Sequence, residues 1–179
     1  PGGTISLLSA NDLKFISGQI DANGATDGGT ITAVSQQGSV TFNSAVVQTN
    51  GSNGRGGTIG ISGSQYTNIL GSSITATGNT QGGSIYLGYS SQIPGLIPFS
   101  QYLNLDTASI VRTTASAGTG GFIETSGHYV TQLDGQIIAG QGGTWLIDPL
   151  DYTIDSASAL SIVSGLNSGD VTINAAAGV

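Results

Sequence analysis

Three groups of residues in this 179-residue chain could do chemistry. Asp148, Asp151 and Asp155 cluster carboxylates of the kind that hard cations such as calcium take as oxygen ligands. Arg112 and Glu124 are the ingredients of acid–base glycan cleavage, which needs paired carboxylates, or an acid beside a basic group, on one wall. His128 is the single histidine, which excludes multi-histidine metal sites and leaves Ser-His-Asp catalysis as its remaining chemical role.

Each group also has a plainer role. The glycine-aspartate nonapeptide of calcium-binding solenoids does not occur, and Asp148-Pro149 suits a turn at a strand end. His128 sits in Ser126-Gly127-His128-Tyr129, where nothing frames a nucleophilic serine, so it reads as a turn residue. Arg112 falls on an outward strand position, where Asp21, Gln48 and Thr75 would share its column. Glu124 is also outward and has no second acid in its column, so both are expected to be solvated. The sequence thus predicts no catalytic residue, no metal site, no cofactor and no enzyme.

Composition narrows the partners. Ten acids stand against Lys14, Arg55 and Arg112, a net charge of −7, so phosphates cannot be neutralised on a useful scale and nucleic acid is not an expected partner. At 37% hydrophobic and 7% charged residues the chain is too apolar for disorder. No run approaches the roughly 20 apolar residues of a spanning helix. Cysteine is absent, so stability must come from something other than disulfides, such as a continuous backbone hydrogen-bond ladder. No signal peptide opens the chain, and Pro1 lies directly on a repeat, so the start reads as cut from something longer or processed.

Any such residue must be positioned by the repeat that pervades the chain. Gly2-Gly3-Thr4-Ile5 recurs as Gly28-Gly29-Thr30-Ile31, Gly56-Gly57-Thr58-Ile59 and Gly82-Gly83-Ser84-Ile85, then more loosely at Gly120, Gly142 and Gly169. The starts are spaced by 26, 28, 26, 38, 22 and 27 residues, and recurrence at this period marks a repeat architecture. Each repeat holds three strand-like runs with period-two alternation, hence three strands per coil. The first run stacks Ile5, Ile31, Ile59, Ile85, Ile123 and Trp145, with Leu7, Ala33, Ile61, Leu87, Thr125 and Ile147 two residues on. The second covers 13–16, 40–42, 68–70, 103–105 and 130–133, with Phe15 and Phe42 filling a corner. The third stacks Ile20, Val47, Ile74 and Val111, and closes on Gly24, Gly51 and Gly78, whose size suits a sharp bend with positive φ. The expected fold is all-β, a parallel β-helix or β-solenoid of about seven three-strand coils, forming one segment over 1–179. Like residues recurring at one coil's distance favour parallel stacking over the hairpins of a sandwich.

Two stretches break the rhythm. Residues 89–102 form an inserted loop, because Pro94 and Pro98 cannot donate to a ladder. Its apolar Ile93, Leu96, Ile97 and Phe99 either cover a flank of the rod or protrude as a contact site. Residues 156–166 carry apolar residues at helical spacing after a capping serine, which predicts one short helix. Neither end shows a cap, so both ends, including that near Val179, are expected to offer open strand edges.

The block Gly142-Gly143-Thr144-Trp145-Leu146-Ile147-Asp148-Pro149, followed by Asp151-Tyr152-Thr153-Ile154 and Gly169-Asp170-Val171-Thr172-Ile173, resembles the two-partner-secretion exoproteins, the filamentous-haemagglutinin-like adhesins. Gly121-Phe122-Ile123-Glu124-Thr125-Ser126-Gly127-His128 is similar to the segment preceding the Trp motif in those proteins, while residues 2–105 match only as generic repeats. The resemblance implies a right-handed parallel β-helix, export through a dedicated outer-membrane pore, and a secreted or surface-attached role in adhesion. The family's amino-terminal secretion domain is not visible in these residues, and the motif carries no catalytic residues.

The expected function is therefore a structural and adhesive segment of an extracellular bacterial β-helical surface protein. Its partners would be further coils of the same parent chain, other copies stacked head to tail into filaments, or host or matrix glycans met by outward Thr, Ser, Asn and Gln with Tyr66, Tyr86, Tyr89, Tyr102 and Tyr129. The alternative is a polysaccharide-binding or polysaccharide-cleaving β-helix.

Overall fold

The computed structural model describes residues 1–175, so the end at Val179 lies outside the described residues. The chain winds as a β-solenoid with three faces. The first face stacks β1 (Thr4–Ser9), β3 (Thr30–Ser35), β5 (Thr58–Gly63), β8 (Ser84–Leu87), β11 (Phe122–Thr125), β14 (Thr144–Ile147) and β16 (Asp170–Ile173), all parallel. The second and third faces are joined in the early coils, because β2 (Leu13–Asp21) and β4 (Val40–Gln48) each run along both. Beyond them the second face continues through β6 (Tyr66–Leu70), β9 (Tyr102–Leu105), β12 (Tyr129–Leu133) and β15 (Asp151–Tyr152), and the third through β7 (Ser73–Thr75), β10 (Ile110–Arg112) and β13 (Gln136–Ile138).

Alternation explains the strands and in-register stacking explains the core. Ile5 pairs with Ile31, Ile31 with Ile59, Ile59 with Ile85, Ile85 with Ile123, and Ile123 with Trp145. Ile20, Val47, Ile74, Val111 and Ile137 form the corresponding column of the third face. From Ile31 to Ile147 these inward side chains are buried, and each fully buried Ile, Leu or Val contributes roughly 1.5–3 kcal/mol. Phe15 and Phe42 meet at one corner with ring centroids 5.7 Å apart.

The glycine pairs close each coil. The second glycine of a pair donates to the end of the third face of the coil before, as Gly29 N–H does to the Ala22 carbonyl at 2.8 Å and Gly83 N–H to Ala76 at 2.7 Å, and Gly121 N–H reaches Ala139 of its own coil as well as Thr113. Gly24, Gly51 and Gly78 do not have the expected positive φ. They are small because chain passes chain there: a Cβ would overlap the carbonyl oxygens of Asp27, Arg55 and Gln81. The left-handed backbone falls instead at the corner between the second and third faces, at Ser17 (φ 52°), Ser44 (φ 53°) and Gly71 (φ 53°).

Seven coil starts yield about six turns rather than seven, since β16 only begins the seventh. In the sixth coil a helix, α1 (Ser156–Leu166), follows β15, and it packs on β13, β16 and β12. Its N-cap is Asp155, not a serine: the Asp155 carboxylate accepts from Ala157 and Ser158 N–H, and the Ser158 hydroxyl accepts from Asp155 N–H at 2.9 Å, a capping box. The helix buries its small residues, Ser158, Ser161 and Gly165, and turns Leu160, Val163 and Leu166 outward. Small residues let it sit directly on the Trp145 ring, which a Cβ on Gly165 would touch at 2.8 Å.

Candidate functional site

Glu124 is the largest departure from sequence expectation. Its position on β11 points away from the solenoid interior, where it neighbours Tyr86 and Leu146 in register, yet it is 0% exposed. The inserted loop is what covers it. Ser91 donates its backbone N–H to both carboxylate oxygens, at 3.1 and 3.0 Å, and its hydroxyl to Oε2 at 2.8 Å. Burial pushes the Glu124 carboxyl above the usual glutamate range, against the lowering effect of the Ser91 bonds, and Asp148 adds a smaller upward push. Burial also raises Asp148, against a hydrogen bond from Asn174, and raises the Tyr86 phenol.

The rest of the loop lies over the first face. Ile97 is buried, and it and Leu96 cover Gly60 closely enough that a Cβ there would meet Ile97 Cγ2 at 3.0 Å and Leu96 Cδ2 at 3.2 Å. Phe99 packs between Tyr89 (centroids 4.8 Å) and His128 (4.3 Å). Ile93 is exposed. Residues 95–98 also form one wall of a groove of about 470 Å³ whose other wall includes Leu8 and Val34.

The clustered carboxylates do not converge. Asp155 caps α1, Asp148 lies near Glu124, and Asp151 opens β15. Among the described residues no group of three or more His, Cys, Asp and Glu side chains gathers to hold a metal ion. His128 serves the turn with its backbone, donating to the Ser100 carbonyl and accepting from Asp151 N–H, while its ring stacks on Phe99. Arg112 lies in the expected column, in register with Thr75, which stacks on Gln48 and Asp21, and on its other side it pairs with Ile138. It is on a different face from Glu124. Trp145 fills the inward column, and its indole N–H donates to Thr125 Oγ1 at 3.0 Å.

Of the five tyrosines expected to pave the surface, Tyr86 is buried at 2% exposure and Tyr89 packs on Phe99. Tyr66, Tyr102 and Tyr129 stack on successive rungs of the second face, with centroids 4.8 and 5.5 Å apart. The spacing assigns Tyr102 to the inserted loop 89–102, but Tyr102 is the first residue of β9 and so falls in register with Tyr66 and Tyr129.

Protonation of Glu124 and Asp148 gives a stability prediction. Both hold a proton more tightly when folded than when unfolded, so the folded state binds more protons in the window from the ordinary carboxylate range up to their raised values. Stability should therefore increase as pH falls from neutral into that window. Asp155 acts oppositely: the Ser158 N–H and hydroxyl lower its pKa, and its contribution is lost below the ordinary aspartate range. Melting temperature measured from about pH 7 to about pH 2 should first rise and then, below the ordinary aspartate range of about 3.9, fall, and Glu124→Gln should flatten the rise. A wild-type curve that falls monotonically from pH 7 would contradict this.

No family model matches the sequence, and no curated protein does either. Among solved structures the chain is similar to the HMW1 secretion domain from Haemophilus influenzae, at 19% identity and a TM-score of 0.60, over 94% of this chain and 49% of that one. The chain thus spans about half the length of that domain. The likeness establishes the β-solenoid fold.

Proposed function

We propose that this chain is a structural and adhesive segment of an extracellular bacterial β-helical surface protein, exported through an outer-membrane pore and without chemistry of its own. The observation that carries the reading is the uninterrupted parallel ladder of the first face, seven strands in register, in a fold shared with the HMW1 secretion domain. A rod of this kind derives rigidity from backbone hydrogen bonds and buried stacks, and it presents long polar flanks. In the loop, Ile97 and Phe99 have a covering role, which leaves Ile93 as its outward apolar residue.

Head-to-tail contact between copies, or with further coils of a parent chain, is part of the reading. Large exposed apolar side chains gather toward the two ends of the rod: Leu8 and Ile16 at one, Ile154, Leu160, Val163, Leu166 and Ile173 at the other. Among the described residues β1 and β16 are each paired on one side only, and α1 lies over the end of the third face. A non-closing contact of this type gives an open fibre. Sedimentation and electron microscopy of the purified chain over a hundredfold concentration range test it: concentration-dependent rods are expected, and discrete monomers throughout would remove self-stacking. For the adhesive role, beads coated with the chain should attach to a host-cell or matrix surface, and attachment no greater than that of albumin-coated beads would count against it. A reducing-end assay on polysaccharides should stay flat, and release of ends would favour the cleaving alternative.

A further inference from the structure

We propose that the outer side of the second face is a binding site for a neutral, linear glycan lying along the solenoid axis. The site consists of two adjacent outward columns. In one, Tyr66, Tyr102 and Tyr129 stack into a strip about 10 Å long between the outer ring centres, with Tyr66 and Tyr129 41% and 43% exposed. In the other, two residues along each strand, Asn68 donates its amide to Thr41 Oγ1 at 3.3 Å and Asn104 donates to Asn68 Oδ1 at 2.7 Å, while Thr131 donates to Asn104 Oδ1.

Those hydrogen bonds orient the amides without exhausting them. A carboxamide nitrogen carries two donors and its oxygen two acceptor sites, so each asparagine keeps one N–H for a partner after its neighbour has taken the other. The sugar chemistry matched by such a surface is a row of hydroxyls beside apolar C–H edges: the stacked rings turn their outer edges and phenol hydroxyls to the ligand, and the pre-oriented amides take sugar hydroxyls. Because the rungs repeat at about 4.8 Å, the Tyr–Asn pair is offered at two successive steps and Tyr129 with the Thr131 hydroxyl at a third, where the register shifts, which suits a short run of repeating units over a single compact ligand.

Charge selects the neutral class. The one cation on this face is Lys14, at the head of the amide column, and its Nζ is 3.9 Å from Asp12. At the other end Asp151 follows Tyr129 in register. A polyanionic glycan would meet carboxylates at one end and a neutralised lysine at the other. This inference sharpens the glycan partner of the adhesive reading and rests on it only for the source of the ligand.

The test is calorimetric titration of the intact chain with a β-1,4-linked glucose hexasaccharide and a galacturonate hexasaccharide, together with an array of neutral linear glycans. Binding of neutral chains is expected, weakened about tenfold or more in Tyr66→Ala/Tyr129→Ala and weakened in Asn104→Ala, but unchanged in Arg112→Gln on the third face. The denaturation midpoint of each variant separates lost binding from lost fold. Preference for the galacturonate, binding indifferent to the tyrosine and asparagine changes, or no neutral chain bound at concentrations on the order of millimolar would overturn the proposal. None of these results depends on whether copies stack, so the rod reading stands or falls separately.

Discussion

Replacing Gly82 with alanine should remove about 3–5 kcal/mol of stability, a large share of what a folded domain has. The added methyl would overlap the Thr113 carbonyl oxygen and lie 2.5 Å from Gly121 N. Both neighbours are backbone, and both are engaged in coil closure: Gly121 N–H donates to that same Thr113 oxygen at 2.7 Å. No rotamer change can make room, so the rungs must separate and lose ladder bonds on either side. Gly3 is the internal control. Nothing lies within 4 Å of a Cβ placed there, so Gly3→Ala should change stability by no more than about 0.5 kcal/mol. Urea unfolding of the three proteins measures both effects as shifts in midpoint. Equal midpoints for Gly82→Ala and Gly3→Ala would mean that the coils are not packed backbone to backbone.

Trp145→Ala should cost about 3–5 kcal/mol, the usual range for deleting a buried aromatic core residue. Trp145 is 1% exposed and does two things at once. It completes the isoleucine column of the first face, and its ring is the seat on which Gly165 brings α1 against the solenoid. The cavity left by alanine would lie beneath the helix, so helical circular dichroism should melt before the strand signal in the variant while both melt together in the wild type. Trp145→Phe isolates the polar component: it leaves Thr125 Oγ1 without the indole donor, a loss of about 1–3 kcal/mol if nothing replaces it. A helix signal untouched by Trp145→Ala would show that α1 is held by other contacts.

The legibility of this protein in its sequence differs from residue to residue. The isoleucine columns were legible because a solenoid turns sequence period directly into spatial neighbourhood. Residues one coil apart become register partners, and strand alternation says which of them face inward. Arg112 could be set beside Thr75, Gln48 and Asp21 on the same grounds. Ile137 was not foreseen in its column because the fifth coil, with its 22-residue spacing, shortens the turns against which the third run was aligned.

Where the chain departs from its period, pattern stopped being a guide. Glu124 was read as solvated because its strand position is outward, and the position was right; the loop that buries it comes from 33 residues earlier. The helix shows the same limit. Apolar spacing predicts that α1 exists, but it buries Ser158, Ser161 and Gly165 and exposes Leu160, Val163 and Leu166; at Gly165 the reason is the Trp145 ring, which a Cβ would meet at 2.8 Å.

The sequence by itself determined the coil, the three faces, the inward columns and the positions of the loop and helix. All of these follow from local alternation and a recurring glycine pair. Only the tertiary structure decided which outward residues are covered, where the left-handed corners fall, and that three tyrosines line up beside an asparagine ladder. Covering depends on what an irregular segment packs against, and packing between segments without a shared period leaves no trace in spacing; the tyrosine column lies on in-register strands, but the insertion ending next to Tyr102 breaks the period that would align it.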